Sequence, residues 1–173
     1  MLYRITIQHR PLAFLKMNHA GPDTPVLNFF ADMSALVGLP LEVGQTPRGR
    51  RRVVSITGGE FTGEGWAGRI LPGGGDFQLI AGDSLALLEA HYVVETDGGD
   101  YIYVHNRAIR HASPEVTAKL LIGQPVDPAL VYFRCTPTFE TGSSSLGWIN
   151  HRLFVGSGIR QPDRVLIRFF ELA

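Results

Sequence analysis

Alternating apolar and polar residues make up most of the chain, in short stretches that glycine-rich turns separate. A period of two with many β-branched and aromatic residues is typical of antiparallel strands. The clearest example is AHYVVETDGGDYIYVHN, in which the turn Asp97-Gly98-Gly99 tolerates the positive φ angles that a hairpin requires. The pattern predicts nine strands, at residues 3–8, 51–57, 60–70, 76–80, 88–95, 101–106, 131–139, 148–155 and 165–171.

Three stretches of the chain predict helix instead. Ser113-Pro114 offers a helix N-cap and first helical position, and Gly123 stands where a C-terminal cap glycine is expected. Asp127-Pro128 predicts a second helical turn. Apolar residues at helical spacing within 25–37 predict a third helix, which either packs on the core surface or covers one end of the fold.

The number and order of these elements indicate the fold class. Many short strands with few helices predict an all-β, mostly antiparallel sandwich or barrel that carries two or three short helices. The chain has 173 residues and contains no linker long enough to divide it, so we expect a single domain at 1–173.

Composition excludes several classes of partner. The 16 basic and 16 acidic residues balance, which argues against binding to nucleic acid or to an anionic membrane surface. The arginines around 48–52 are interpreted as a solvated strand start that pairs with nearby carboxylates, with an anion site as the alternative. The single cysteine, Cys135, has no partner for an internal disulfide and is expected to be a buried, inert thiol. With no long apolar run and no signal-peptide pattern, we expect a cytoplasmic protein.

One short motif suggests a nucleotide cofactor but lacks the necessary context. GEGWAG at 63–68 matches the G-x-G-x-x-G of dinucleotide-binding turns, in which the third glycine opens a helix. Here a proline and three glycines follow within about two turns, so such a helix cannot continue. We therefore interpret these glycines as turns and strand bends and expect no cofactor.

Several longer motifs occur together in one order along the chain. They are RRRVVSITGGEFTGEGWAGRILPGGGDFQLI, YVVETDGGDYIYVHNRAIRH, SPEV, VYFRCTPTFETG and WINHRLFVGSG. In these motifs, from about Leu41 to the C-terminus, the chain resembles the DUF3237 or UPF0311 family, whose function was unassigned when it was defined. Residues 20–38 depart from the family pattern and look like an inserted helical segment. The resemblance implies a small, lipocalin-like or allene-oxide-cyclase-like β-barrel that often self-associates.

A barrel of about eight strands can hold one small ligand, and its residues alternate between the inside and the outside. In the hairpin, Tyr103 and His105 share one face, whereas Val104 and Asn106 share the other. The face with Tyr103 is either the solvent face or the wall of a ligand-binding lumen. Either way, the hairpin supplies candidates for binding a ligand, and Tyr103 and Asn106 are the two that we select.

Two more binding candidates lie near the C-terminus. Trp148 would provide a stacking wall, and Asn150 an amide that can both donate and accept hydrogen bonds. The alternative is a core tryptophan beside an asparagine that caps a turn. Arg134 lies between apolar residues, where a buried guanidinium needs either an internal carboxylate or an anionic ligand.

Proton transfer requires a group whose pKa lies near the working pH, which burial of a carboxylate can supply. The candidates are Asp76, His105 and Glu140. A metal site is not expected, because no H-x-H, H-x-x-x-H or paired-cysteine spacing occurs in the chain.

These residues support two main hypotheses of function. The first is a cofactor-independent isomerase, lyase or cyclase that acts on a small, partly hydrophobic carbonyl compound. Arg134 and Asn150 would stabilise an enolate, and a carboxylate or histidine would move the proton. The second is a non-catalytic carrier of a small lipophilic ligand. A third, a structural protein with a filled barrel, predicts no pocket. Barrel edges and aromatic surface residues also predict a homodimer.

Overall fold

The computed structural model describes residues 21–173, so the strand predicted at 3–8 lies outside the described residues. Nine strands are present in the described part of the chain. They are β1 (Leu27–Thr46), β2 (Gly49–Gly63), β3 (Trp66–Ile70), β4 (Gly74–Ala81), β5 (Leu85–Thr96), β6 (Tyr101–His111), β7 (Tyr132–Thr141), β8 (Leu153–Arg160) and β9 (Arg164–Leu172).

These strands form a closed antiparallel barrel. Each strand from β5 to β9 pairs with the next along the chain, and β1 pairs with both β9 and β2. The short strands β3 and β4 follow one another between β2 and β5, so together they occupy one position in the ring. The predicted all-β, mostly antiparallel barrel is confirmed.

The helix predicted within 25–37 is wrong, because this segment belongs to β1. A shift in the pairing of β1 with β9, between Phe29 and Ala31, turns both Phe30 and Ala31 into the core. This bulge breaks the alternation, and with Met33 it produces an apolar spacing of three that imitates a helix. Hydrogen bonding to strands on both sides overrides that local pattern.

Two other predicted elements also differ from the structure. The stretch 60–70 is not one strand, because a turn at Glu64-Gly65 divides it between β2 and β3. The stretch 148–155 begins with a 3-10 helix at Gly147–His151, and β8 starts only at Leu153. The first turn falls within GEGWAG, where the glycines themselves predict turns.

The helical predictions near residue 113 are confirmed. Helix α1 spans Pro114–Leu121, and the Ser113 hydroxyl accepts a hydrogen bond of 3.3 Å from the Val116 N–H. Gly123 follows the helix with a φ of 76°, as a C-terminal cap requires. A 3-10 helix at Pro128–Leu130 follows Asp127.

The glycines of GEGWAG form a β-hairpin and do not open a helix. Gly65 lies in the turn with a φ of 73°, and a side chain at Gly63 would clash with the Trp66 indole. Gly68 passes so close to the Glu95 carbonyl that a methyl group there would also clash. The predicted turn is confirmed at Gly65, whereas Gly63 and Gly68 permit close packing between strands.

The aromatic side chains fill one end of the barrel. Phe30 lies at their centre, with its ring centroid 4.7 Å from that of Phe154 and 5.0 Å from that of Phe139. The other members are Phe61, Trp66, Trp148 and Phe169. Because this end is packed with rings, any ligand-binding space must lie towards the other end.

The homodimer is predicted from free barrel edges and from aromatic residues on the surface. The ring of described strands is closed, so the argument from free barrel edges does not hold. The outer wall nevertheless has a shallow groove of about 790 Å³ lined by exposed apolar side chains, among them Phe77, Ile109 and Tyr132. The homodimer stays a prediction.

Among residues 21–173, no helix has the length and apolar character needed to span a membrane.

Candidate functional site

Six polar side chains project into the barrel at the end opposite the aromatic rings. They come from β2, β4, β6 and β8, and we call them the lumen cluster: Arg52, Asp76, Gln78, Asn106, Arg110 and Arg160. Such a group is unusual, because buried polar side chains lose their hydrogen bonds to water and must form new ones with other buried groups. The cluster is therefore the first candidate for a functional site.

Strand alternation places these side chains inside. In β6 the even-numbered residues from Ile102 to Arg110 face the interior, and the odd-numbered residues between them face outward. In β4 the same alternation directs Asp76 and Gln78 inward and leaves Phe77 exposed. The local sequence thus determines which side chains share one face of a strand. Closure of the barrel determines that this face lines the lumen.

Asp76 is held by two hydrogen bonds. The Gln78 amide donates to its Oδ2, and the Glu89 backbone N–H donates to its Oδ1 over 3.2 Å. Gln78 in turn accepts a bond of 2.8 Å from Nε of Arg52. Burial raises the pKa of Asp76, although the Gln78 bond and the nearby Arg110 oppose this effect. A carboxyl group with a raised pKa is suited to proton transfer near neutral pH.

Arg110 and Asn106 carry polar atoms that lack partners. Both residues are buried, and neither Nη2 of Arg110 nor Oδ1 of Asn106 has a hydrogen-bond partner among residues 21–173. Burial lowers the pKa of Arg110 to about 10, so the guanidinium remains charged at neutral pH. Unpaired buried groups cost free energy, and a ligand that bonded to both would recover it.

The interior has an excess of positive charge. The guanidinium groups of Arg52, Arg110 and Arg160 are opposed inside the lumen by one carboxylate, Asp76. Glu42 lies at the rim, 4.0 Å from Arg52, and Arg160 donates to a backbone carbonyl. This balance favours an anionic group, or an oxygen that becomes negative during a reaction.

A small cavity lies beside the lumen cluster. It has a volume of about 50 Å³, and its wall combines Asp76, Asn106 and Arg110 with apolar side chains such as Tyr92 and Leu88. Drug-sized ligands occupy pockets of roughly 300–1,000 Å³. The observed space fits the polar head of a partly hydrophobic molecule, and a larger ligand would require the wall side chains to move.

The structure divides the residues selected from the sequence into two groups. Asp76 and Asn106 both line the lumen cavity. Arg134, Glu140, His105 and Tyr103 lie on the outer wall of the barrel, and Trp148 and Asn150 lie in the 3-10 helix beside the aromatic end. The eight candidates therefore do not form a single site.

Three of the selected residues make contacts within the protein that need no ligand: Arg134, Trp148 and Asn150. The expected burial of Arg134 is wrong: the side chain is exposed and lies over the Tyr132 ring, 5.3 Å from its centroid. Asn150 accepts from the backbone N–H of Thr141 and donates to its carbonyl, each over 2.9 Å. Trp148 packs against Phe30. Asn150 thus matches its structural alternative. The core position stated as the alternative for Trp148 is wrong, because 43% of its surface is exposed.

Four members of the lumen cluster are absent from the residues predicted from sequence: Arg52, Gln78, Arg110 and Arg160. Continuing the alternation of β6 beyond Asn106 would have placed Arg110 on the interior face. Arg52 was interpreted as part of a solvated basic run, whereas only 3% of its surface is exposed. No local signal distinguishes it from its exposed neighbour Arg50, because the distinction depends on closure of the barrel.

A second cluster, on the outer wall, contains groups that could hold a metal ion. Glu89, His91 and His105 each direct a ligand atom to within 4.8 Å of the others. They lie on two neighbouring strands, β5 and β6. Histidine spacing along the chain does not reveal this cluster, because His91 and His105 are brought together by pairing across strands.

Comparison with known proteins agrees with this architecture. The model of the family described as "Protein of unknown function (DUF3237)" matches residues 25–172. The chain belongs to this family. Because the match begins at residue 25, most of the segment 20–38 is part of the family fold and not an insertion. A UPF0311 protein of Rhodopseudomonas palustris is 44% identical over 146 residues, which cover 83% of this chain and 95% of the relative.

Solved structures similar to this chain have the same fold. A conserved protein of unknown function from Rhodopseudomonas palustris has a TM-score of 0.83 at 41% identity, covering 88% of this chain and 100% of its own. A β-barrel-like protein from Acinetobacter baumannii has a TM-score of 0.79 at 35% identity, covering 90% and 100%. An enzyme from Penicillium herquei is more distant, with a TM-score of 0.66 at 18% identity over 90% and 99%. That last likeness concerns the fold alone.

Proposed function

We propose that this DUF3237 protein binds a small, partly hydrophobic carbonyl compound in the lumen and converts it without a cofactor, as an isomerase, lyase or cyclase. The observation that carries the proposal is the pair of unpartnered buried atoms, Nη2 of Arg110 and Oδ1 of Asn106, beside the Asp76 carboxyl group. A donor, an acceptor and a titratable group thus converge on one cavity.

The proposed chemistry assigns a role to each group. Arg110 would bind the carbonyl oxygen and stabilise it as an enolate, because a preformed charge in a dry site costs no reorganisation. Asp76 would accept a proton from the carbon next to the carbonyl and return it elsewhere on the substrate. Asn106 would orient a hydroxyl group of the substrate through its free Oδ1.

Two lines of support come from the surroundings of these groups. The apolar wall beside the cluster would bind the hydrophobic part of the substrate, and the positive interior would favour the enolate over the neutral ketone. The alternative is a carrier of a small lipophilic ligand, which would use the same cavity without proton transfer.

A single experiment distinguishes these possibilities. We would incubate the purified protein and its Asp76→Asn variant with a fractionated small-molecule extract, and identify retained and altered compounds by mass spectrometry. If wild type forms a product of equal or dehydrated mass and Asp76→Asn retains the substrate unchanged, the enzyme proposal is supported. Retention without conversion by wild type would favour the carrier. If wild type neither retains nor converts any compound, the filled barrel is favoured.

A matched control separates chemistry from general damage. Glu140→Gln removes a carboxylate that lies exposed on the outer wall and was a candidate from sequence. We expect this variant to convert the compound at the wild-type rate. Loss of turnover in Glu140→Gln but not in Asp76→Asn would overturn the assignment to the lumen.

A further inference from the structure

Three side chains on the outer wall are arranged as ligands around one point. Glu89 and His91 are two residues apart in β5 and so project from the same face, and His105 lies directly opposite His91 in β6. The two imidazole rings stack with centroids 4.3 Å apart and planes 8° apart. Nε2 of His105 lies 3.0 Å from Oε1 of Glu89. One carboxylate and two imidazoles therefore converge from two strands of a rigid sheet.

Neighbouring side chains orient this group. Nδ1 of His91 forms a hydrogen bond of 2.7 Å with the Tyr103 hydroxyl, which leaves its Nε2 outside that bond. The Phe77 ring lies edge to face with the His91 ring, with centroids 6.3 Å apart. A hydrogen bond to one ring nitrogen is the usual way in which proteins fix the tautomer and direction of a metal-binding histidine. Tyr103 occupies that position here.

We propose that Glu89, His91 and His105 form a Zn²⁺ site with a fourth position open to solvent. The donor set decides the metal, because two imidazoles and one carboxylate suit zinc and related transition metals better than calcium or magnesium. With bonds of about 2.0 Å, tetrahedral ligands lie roughly 3.3 Å apart. The ligand atoms lie within 4.8 Å of one another. Because a metal must lie in the plane of each ligating imidazole, His91 and His105 must turn out of their parallel stack to complete the geometry.

The competing explanation is a plain hydrogen-bonded surface cluster. Glu89 already accepts from His105, and Nε of Arg107 lies 3.6 Å from the same carboxylate. Zinc would displace the proton between Glu89 and His105 and leave Arg107 at the edge of the site. This competition predicts moderate affinity and makes measurement of binding decisive. The zinc site does not depend on the function proposed for the lumen.

The test is a zinc titration of the full chain after removal of metal, in competition with a chromogenic chelator at neutral pH. We expect wild type to bind one equivalent through this site. His91→Ala and His105→Ala should each lower its affinity at least about 10-fold, since even the groups behind metal ligands contribute that much. His111→Ala is the matched control, because His111 is an exposed histidine at the end of the same strand as His105.

Two results would overturn the proposal. One is the absence of stoichiometric zinc binding by wild type. The other is unchanged affinity in the double variant His91→Ala/His105→Ala, which would place the metal elsewhere in the chain. Visible absorption of bound Co²⁺ supplies a second readout, because it should be present in wild type and in His111→Ala and absent in the double variant. Unchanged thermal unfolding of the apo variants would show that the substitutions leave the fold intact.

Discussion

The carboxylate of Asp32 and the guanidinium of Arg168 form a two-pronged ion pair in which both hydrogen bonds measure 2.8 Å. The two residues are 136 positions apart in sequence and lie opposite one another on β1 and β9. The pair therefore joins the first and last described strands at the point where the barrel closes. Its paired geometry is the kind that makes a surface ion pair measurable.

This ion pair should stabilise the protein only above acidic pH. The hydrogen bond from Arg168 lowers the pKa of Asp32 in the folded state. The contribution is then complete above the ordinary aspartate pKa of about 3.9 and is lost as the pH falls through the lower folded-state value. We expect Asp32→Asn to lower the urea midpoint modestly at neutral pH and to match wild type in strong acid.

A double-mutant cycle with Arg168→Gln isolates the pair. The cycle should give a favourable coupling at neutral pH that declines with acid and with salt. Coupling that is zero at neutral pH would show that exposure and side-chain entropy cancel the attraction between the two groups.

Gly63→Ala should destabilise the barrel by about 2 kcal/mol, because overpacked cores typically lose 1–3. The added methyl group would clash with the Trp66 indole, which stacks on Phe61 with ring centroids 5.4 Å apart. Gly147→Ala is the matched control: it makes the same change at an open site and should shift stability by less than about 0.5 kcal/mol. Urea unfolding measures both, and equal effects would contradict the packing argument.

Arg110→Met should make the protein more stable and at the same time abolish its function in the lumen. The substitution removes a buried charge with an unpaired Nη2, so we expect the free energy of unfolding to rise by roughly 1 kcal/mol. The same variant should no longer retain or convert the lumen ligand. Denaturant unfolding and the mass-spectrometric assay check the two effects. A strong loss of stability would mean that Arg110 is a structural counter-ion for Asp76.

Cys135 should be unreactive in the native protein. Its side chain is buried, and burial raises the pKa of the thiol to about 12, so very little thiolate exists at neutral pH. Iodoacetamide should leave the folded protein unlabelled and modify it fully in urea, and mass spectrometry follows the single site directly. Rapid labelling of the folded protein would show that the barrel opens near β7.

Much of the fold follows from local patterns in the sequence. The hairpin of β5 and β6, the strands β7 and β9, and the capped helix α1 all occur where alternation and cap residues predict them. The failure at β1 has a specific cause, which is the bulge between Phe29 and Ala31. A bulge changes the phase of the pattern without changing residue type, so no window of sequence reveals it.

The candidate site was much less predictable. Asp76 and Asn106 were selected for their chemistry, but Arg110 and Arg52 were passed over because arginine is usually exposed. The cluster of Glu89, His91 and His105 was also missed, because His91 and His105 meet only through the register of β5 with β6. Spacing along a chain cannot show contacts that arise between strands.

Local residue patterns specify which residues share a face of each strand, where most turns fall, and that the chain forms an antiparallel β fold. They do not specify which of the two faces is inside. Alternation distinguishes the faces, but only closure of the ring curves one of them inward. That curvature brings Asp76, Asn106 and Arg110 to one cavity and places Arg52 beside them, bonded to Gln78. Each is ordinary in its own strand, and together they form the site.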